Sequence, residues 1–138
     1  MKPSASGREA VEGLYHVWFS TKGRKQALDS ELGDDVRQLL IDIAQRADIR
    51  LLEIEMATDH VHMLVALSGI QTLSSTMHQL KGATSRYIFL KYPELKVDMG
   101  HNSFWQKGYG WRKIEPTEVE RVRSYIRTQG SRALRHEC

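Results

Sequence analysis

The sequence predicts one α+β domain in which a four-stranded antiparallel sheet carries helices on one face, the ferredoxin-like or RRM-like arrangement. The hydrophobic patterns follow the order β-α-β-β-α-β-α, and no repeat, low-complexity tract or linker interrupts them. The length of 138 residues is also typical of one domain. We therefore interpret residues 1–138 as a single domain, and we expect the small, polar residues 1–12 to form a flexible tail.

The four strands are predicted from alternation of side chains between two faces. Residues 14–20 are apolar on both faces, which is typical of a strand buried on both sides. Residues 51–56 and 60–67 also alternate, and the short segment between them predicts a hairpin. Residues 103–114 are expected to form either a bent fourth strand or a strand paired with a loop, because glycines interrupt their aromatic residues.

Three helices are predicted from the spacing of apolar residues. They cover residues 31–47, residues 72–91 and a final segment that begins at Pro116 and Thr117. The expected end signals are an N-cap at Ser30, a stop at Pro93, a capping box between Thr117 and Glu120, and a C-terminal glycine at Gly130. The last helix follows the completed β-α-β-β-α-β unit and is therefore an addition to it.

Composition excludes several classes of protein. The single cysteine, Cys138, allows neither an intramolecular disulfide nor a zinc site with several thiolates. No apolar run approaches the roughly 18 residues that span a bilayer. The first 13 residues contain no apolar signal segment. These observations predict a cytoplasmic protein without a membrane partner.

Charge is distributed unevenly along the chain. The net charge is +3, but residues 1–70 hold 8 basic and 11 acidic residues, while residues 71–138 hold 12 and 6. A basic half on a small domain favours a partner that carries phosphates, such as a nucleic acid. An ordinary mixed, solvated surface is an equally good interpretation of charge alone.

The sharpest local motif is His60-Val61-His62. Residues i and i+2 of a strand point to the same side, so the two imidazoles project together and can share one metal ion. Two unrelated histidines on a half-exposed strand are the alternative. A histidine-triad nucleotide hydrolase would carry a third histidine two residues later, and Leu64 at that position argues against it.

A second pair of polar side chains lies on the last predicted helix. Tyr125 and Gln129 are four residues apart and therefore lie on one helical face. Their row is turned roughly 60° from the apolar stripe of that helix, which places it at the edge of the contact with the domain. A tyrosine that packs at this edge beside a solvated glutamine is the alternative interpretation.

The two features together suggest a reaction. A phenol is a poor nucleophile at neutral pH because its ordinary pKa is about 10. A divalent cation can compensate by polarising a scissile phosphate. Two imidazoles and one amide oxygen would suit Mg²⁺ or Mn²⁺ and leave positions for phosphate oxygens. A phosphotyrosine retains the energy of the broken bond, so rejoining needs no nucleotide cofactor. The absence of a Walker-type phosphate loop from the sequence is consistent with this hypothesis.

Five motifs resemble those of one family when taken in order. They are YHVWFSTK at residues 15–22, DHVHMLV at 59–65, LKGATSR at 80–86, FWQKGY at 104–109 and YIRTQ at 125–129. Each motif is weak alone, but the set covers about residues 12–130. The chain resembles the single-tyrosine HUH (histidine, hydrophobic, histidine) transposases, the TnpA type, of insertion sequences that move as single strands. The REP-associated tyrosine transposases are relatives of that family.

The resemblance implies roles for four residues and an assembly. His60 and His62 would bind the metal, Gln129 would be its third protein ligand, and Tyr125 would be the nucleophile. The family also implies a homodimer with a sheet continuous across the interface, in which the tyrosine helix of one subunit can complete the other subunit's site. The substrate would be single-stranded DNA with hairpin ends, cleaved and rejoined through a 5′-phosphotyrosine. Residues 110–116 depart from the usual family pattern at this point of the chain.

DNA-binding residues are predicted from charge and position. Arg24 and Lys25 lie in the first loop, and Lys81 and Arg86 lie on the second helix, where they would neutralise phosphates. A solvated basic surface is as good an interpretation of each. Two further alternatives are a hairpin-binding protein without catalysis and a domesticated relative that acts on chromosomal hairpins. The presence of Tyr125, both histidines and Gln129 argues against loss of catalysis.

Overall fold

The computed structural model describes residues 12–28, 30–100 and 103–137. Its strands are β1 Gly13–Ser20, β2 Arg50–Met56, β3 His60–Leu67 and β4 Gly110–Ile114, and its α-helices are α1 Ser30–Arg46, α2 Leu73–Lys91, α3 Pro93–Asp98 and α4 Val119–Glu137. Short 3₁₀ turns cover Lys22–Arg24 and Pro116–Glu118. The predicted tail falls on residues that are not described, apart from Glu12. None of the helices in the described part of the chain is long and apolar enough to cross a bilayer.

The sheet has the strand order β2-β3-β1-β4, and every pair of neighbours is antiparallel. This confirms the predicted ferredoxin-like arrangement. Strand β1 is central and pairs with both β3 and β4, which places Trp18 opposite His62 on one side and opposite Gly110 on the other. Strands β2 and β4 are the edges.

The main core lies between one face of the sheet and helices α1 and α2. The inward face of β1 contributes Tyr15, Val17 and Phe19, all nearly inaccessible to solvent. They pack with buried side chains of both helices, including Leu40 of α1 and Leu80 of α2. Removal of this apolar surface from water is the main source of the fold's stability. The core therefore makes the sheet a rigid platform for its opposite face.

Helix α4 covers that opposite face. A second, smaller cluster joins Leu64 of β3 and Ile114 of β4 to Val122 and Ile126 of α4. Outside this cluster, a partly buried carboxylate adds a polar contact at the edge of the helix. Glu53 of β2 accepts hydrogen bonds from both Arg123 and Arg127 of α4. These contacts hold α4 against its own sheet, on the face that carries His60 and His62.

Residues 103–114 form the second of the two predicted alternatives, a loop followed by a strand. The strand covers Gly110–Ile114, because Gly108 has a φ of +85° and turns the chain away from an extended path. Trp105 keeps one isolated bridge to Thr21. Helix α2 ends at Lys91, directly before Tyr92 and Pro93, which confirms the predicted stop. Pro93 then begins the short helix α3, which the sequence analysis missed.

Three other predicted helix ends are wrong. Helix α1 begins at Ser30, so this residue belongs to the helix and is not the cap that precedes it. The capping box before α4 pairs Glu115 with Glu118, because a 3₁₀ turn at Pro116–Glu118 starts the helical path earlier. Helix α4 continues through Gly130 to Glu137. A glycine inside a helix costs only about 1 kcal/mol, so it does not by itself end one.

A side chain at Gly33 of α1 would clash with the main chain of the segment before the helix. A Cβ atom there would lie 2.0 Å from the main-chain oxygen of Leu28. We expect Gly33→Ala to lower the free energy of unfolding by roughly 1–3 kcal/mol in urea denaturation. The matched control is Gly82→Ala on α2, where no atom lies within 4 Å. That variant should be neutral or up to about 1 kcal/mol more stable. Equal effects would contradict the proposed clash.

Candidate metal and tyrosine site

Strand β3 places His60 and His62 on the face of the sheet that α4 covers. The two ring centroids are 4.9 Å apart, with the rings in an edge-to-face orientation. His62 is buried and His60 is half-buried. The predicted projection of both imidazoles to one side is therefore what the structure has, since they are two residues apart on a regular strand.

Each imidazole is oriented through its Nδ1 atom. Asp59 Oδ1 lies 2.7 Å from Nδ1 of His60, and His16 Nε2 lies 3.0 Å from Nδ1 of His62. Nε2 is the remaining ring nitrogen on both His60 and His62. If Nε2 binds an ion, Nδ1 must carry the proton and donate it to Asp59 or His16. Partners of this kind commonly fix the tautomer of metal-binding histidines.

The charge states of this cluster suit a ligand role. Burial, with a smaller contribution from Arg112, lowers the pKa of His16 from 6.5 to about 4. Burial also lowers the pKa of His62 to about 4, and the neighbouring His60 and His16 add to the shift. Both rings are therefore neutral at physiological pH, the form that can bind a metal. Burial raises the pKa of Asp59, but its contacts with His60 and Arg24 together outweigh that effect and lower it.

Helix α4 places Tyr125 beside these imidazoles within the same chain. The phenol ring centroid is 5.9 Å from that of His16 and 6.3 Å from that of His62. The side chain is 48% exposed, whereas Ile126 next to it is fully buried. The tyrosine thus lies at the edge of the helix contact, as the helical geometry predicted, and remains accessible to a substrate.

Gln129 lies one helical turn after Tyr125 and is partly buried. Its side-chain Nε2 atom is buried and has no hydrogen-bond partner. Leaving a buried N–H donor unpaired is costly, which favours a ligand that brings a hydrogen-bond acceptor, such as a phosphate oxygen. No group of three or more His, Cys, Asp or Glu side chains within residues 12–28, 30–100 and 103–137 could hold a metal. An imidazole pair completed by this amide and by substrate or water oxygens fits the residues present.

A cavity of about 530 Å³ opens beside Tyr125. Its lining residues are His16, Trp18, His62, Arg112, Arg121, Val122 and Tyr125. The combination of a phenol, imidazoles and two guanidinium groups is suited to an anionic substrate. A cavity of this size is in the range of small-ligand sites and could accept one nucleotide unit.

The sequence matches one protein family over most of its length. The family described as "Transposase IS200 like" matches residues 10–129, which is most of the chain. The chain belongs to the IS200-like transposase family.

The chain matches curated transposases over most of their length. The chain is 31% identical to the ISDra2 transposase TnpA of Deinococcus radiodurans over 124 residues, 89% of each protein. It is 30% identical over 115 residues to the transposase for insertion sequence element IS200 of Salmonella typhimurium, covering 83% of this chain and 75% of the relative. The resemblance seen in the five sequence motifs is therefore confirmed.

Solved structures agree with the fold. A crystal structure of a Deinococcus radiodurans protein described as a transposase matches with a TM-score of 0.69 and 29% identity, covering 91% of this chain and 95% of the other. A REP-associated tyrosine transposase bound to a REP hairpin matches with a TM-score of 0.64 and 15% identity, covering 91% and 70%. At that identity the second match supports the fold alone.

His16 belongs to the cluster around His62 and Tyr125, and the sequence analysis missed it. Strand β1 places it on the same face as Trp18, and the β1–β3 register sets it diagonally beside His62. The sequence carried a signal, since His16 alternates onto the face away from the main core. Only the strand order makes β1 and β3 neighbours, so the contact could not be predicted from β1 alone.

The four residues predicted to bind DNA do not converge on one place. Arg24 donates a hydrogen bond to Asp59 and thus borders the histidine pair, while Lys25 donates to the main-chain oxygen of Asp98. Lys81 and Arg86 belong to α2, on the other side of the sheet. Their role in DNA binding stays a prediction.

Lys81 has a structural contact that sequence reasoning did not anticipate. Its ammonium donates to the main-chain oxygens of Gln106 and Gly108, at 2.9 and 2.5 Å. Burial lowers the pKa of Lys81 to about 8. The side chain therefore ties α2 to the loop that precedes β4.

Proposed function

We propose that this IS200-like transposase cleaves and rejoins single-stranded DNA at the ends of its element, with Tyr125 as the nucleophile. The observation that carries the proposal is the approach of Tyr125 to His16 and His62 at 5.9 and 6.3 Å between ring centroids. A half-exposed phenol, a buried imidazole cluster and an open cavity are the parts that such a reaction needs.

The reaction exchanges one phosphodiester bond for another. The Tyr125 oxygen attacks the phosphorus and loses its proton, the bond from phosphorus to the 3′ oxygen breaks, and that oxygen takes up a proton to become a free 3′-OH. The DNA is then held as a 5′-phosphotyrosine. Rejoining is the reverse attack by a 3′-OH, which needs no external energy source because the phosphoester is retained.

His60, His62 and Gln129 would hold a divalent cation, Mg²⁺ or Mn²⁺. The chemistry supplied by such an ion, when bound, is polarisation of the scissile phosphate and stabilisation of charge on its oxygens. Asp59 and His16 would orient the two imidazoles through their Nδ1 atoms. The position of Gln129 one helical turn after Tyr125, on the helix that covers the histidine face, supports the assignment.

The proposed substrate has hairpin ends, and the proposed assembly is a homodimer. A REP-associated tyrosine transposase of the same fold was solved bound to a REP hairpin, and a hairpin end is the partner that we propose here. Strands β2 and β4 are edges with unpaired backbone groups. An edge strand can pair with a second copy, so the sheet could continue across a dimer.

The reaction class can be tested with labelled single-stranded DNA that carries the element ends. We expect a protein–DNA band that survives denaturation in detergent and forms only when Mg²⁺ or Mn²⁺ is present. The same sequence annealed to its full complement is the control and should give no band. Absence of the band with authentic ends, or an equal band in excess chelator, would contradict the proposal.

A further inference from the structure

We propose that the cavity beside Tyr125 is a nucleotide subsite in which Trp18 stacks on an unpaired base next to the scissile phosphate, while Arg112 and Arg121 bind the backbone phosphate that follows it. The inference rests on the proposed function, because it places the substrate strand at Tyr125. It adds a means of holding the strand that involves neither the histidine pair nor the tyrosine.

Trp18 has the position and exposure that stacking requires. Its side chain lines the cavity and is 37% exposed, the largest exposed fraction among the ring systems of β1. Its ring centroid is 4.9 Å from that of His16 and 6.4 Å from that of His62. A base stacked on this indole would therefore lie next to the imidazoles, so its own phosphate could reach them.

Gly110 of β4 holds the indole in place. A Cβ atom at this position would lie 2.1 Å from two atoms of the Trp18 ring. The ring thus crosses directly over the backbone of Gly110, which is its partner in the β1–β4 register. Contact with the sheet on this side leaves the cavity side for a ligand. An aromatic ring that is already immobilised loses little entropy when a base stacks on it.

The two arginines provide positive charge at the same cavity. Glu118 accepts from Arg121 at 2.6 Å and lies 3.7 Å from Arg112, so one carboxylate holds two guanidinium groups. The set keeps one excess positive charge, and the side chains remain 53% exposed for Arg112 and 73% for Arg121. Glu118 is itself fixed because the backbone N–H of Glu115 donates to it. Guanidinium groups presented in this way can bind phosphate oxygens in a bidentate manner.

The chemistry of the cavity selects a single strand. An indole stacks on any base, but the base must be unpaired and turned out of a helix to reach it. The subsite would therefore help to set where the strand lies relative to Tyr125.

Binding of abasic oligonucleotides tests the subsite without the covalent step. The protein is the full chain carrying Tyr125→Phe, and the probes are fluorescent single strands that contain the cleavage region, each with one abasic position. We expect one position near the cleavage site to weaken binding by roughly 5- to 100-fold, the range for loss of one stacked base. Adding Trp18→Leu should remove the sensitivity to that position, and Trp18→Phe should restore part of it.

The arginines are tested by salt dependence, which remains informative if Trp18→Leu does not fold. Arg112→Gln and Arg121→Gln should each reduce the slope of log affinity against log salt, and the double variant should reduce it by about 0.7, the value for one phosphate contact on a single strand. Arg46→Gln, on the exposed surface of α1, is the matched control and should leave the slope unchanged.

Two results would overturn the subsite. The first is that no abasic position weakens binding, or that the same abasic position still weakens binding in a folded Trp18→Leu protein. The other is an unchanged salt slope in both arginine variants. Because these are binding measurements in a protein without the Tyr125 hydroxyl, failure of the proposed cleavage chemistry would appear only in the adduct assay.

Discussion

Tyr125→Phe should abolish the covalent protein–DNA adduct while leaving DNA affinity within about twofold of the original protein. The substitution removes only the oxygen that would bond to phosphorus. Removal of a nucleophile typically lowers the rate by at least roughly 10⁴-fold. The ring is half exposed, so the loss of its hydroxyl should cost little stability. Detergent gels measure the adduct, and fluorescence anisotropy measures the affinity.

Tyr87→Phe is the matched control for that experiment. Tyr87 is 39% exposed on α2, on the other side of the sheet from the histidine pair. The variant should form adducts at the normal rate. Adducts that persist in Tyr125→Phe would assign the nucleophile to another side chain.

His62→Gln should lower both Mn²⁺ affinity and the rate of adduct formation by at least roughly 100-fold. The reason is loss of an imidazole ligand at a position where the amide is a weaker donor. Glutamine keeps a polar group beside His16, whose ring nitrogen lies 3.0 Å from His62, and so avoids an unpaired buried group. Calorimetric titration with Mn²⁺ measures binding separately from catalysis.

Two further variants define the scale of the effect. His78→Gln changes an exposed histidine of α2 and should alter neither quantity. Asp59→Asn removes the anionic acceptor 2.7 Å from His60 and should give an intermediate loss of about 10- to 100-fold in metal affinity. Unchanged Mn²⁺ binding in a folded His62→Gln protein would refute the ligand assignment, whatever the result for Tyr125.

Much of the site could be predicted because it depends on local periodicity. His60 and His62 share a face because a strand repeats every two residues, and Tyr125 and Gln129 share a face because a helix repeats every 3.6. The apolar stripe around Ile126 also predicted that the tyrosine row would lie at the edge of the contact, as it does. These relations require only the identity of the element.

The wrong predictions concern places where competing local signals are close in energy. The cap before α4 uses Glu115 and Glu118, although Thr117 and Glu120 have the same spacing. Gly130 resembles a stop signal but lies inside α4. Differences of about 1 kcal/mol decide such ends, and contacts made elsewhere in the fold are of that size.

The order of amino acids alone was sufficient for the four strands, for helices α1, α2 and α4, and for the side of each of these elements that carries polar groups, because those properties arise between residues a few positions apart. The meeting of His16, His62 and Tyr125 was not accessible in this way. It requires β1 to pair with β3 in one particular register and α4 to pack on the face away from α1 and α2. Those choices depend on burying apolar side chains that are far apart in the chain, and only the folded domain brings them together.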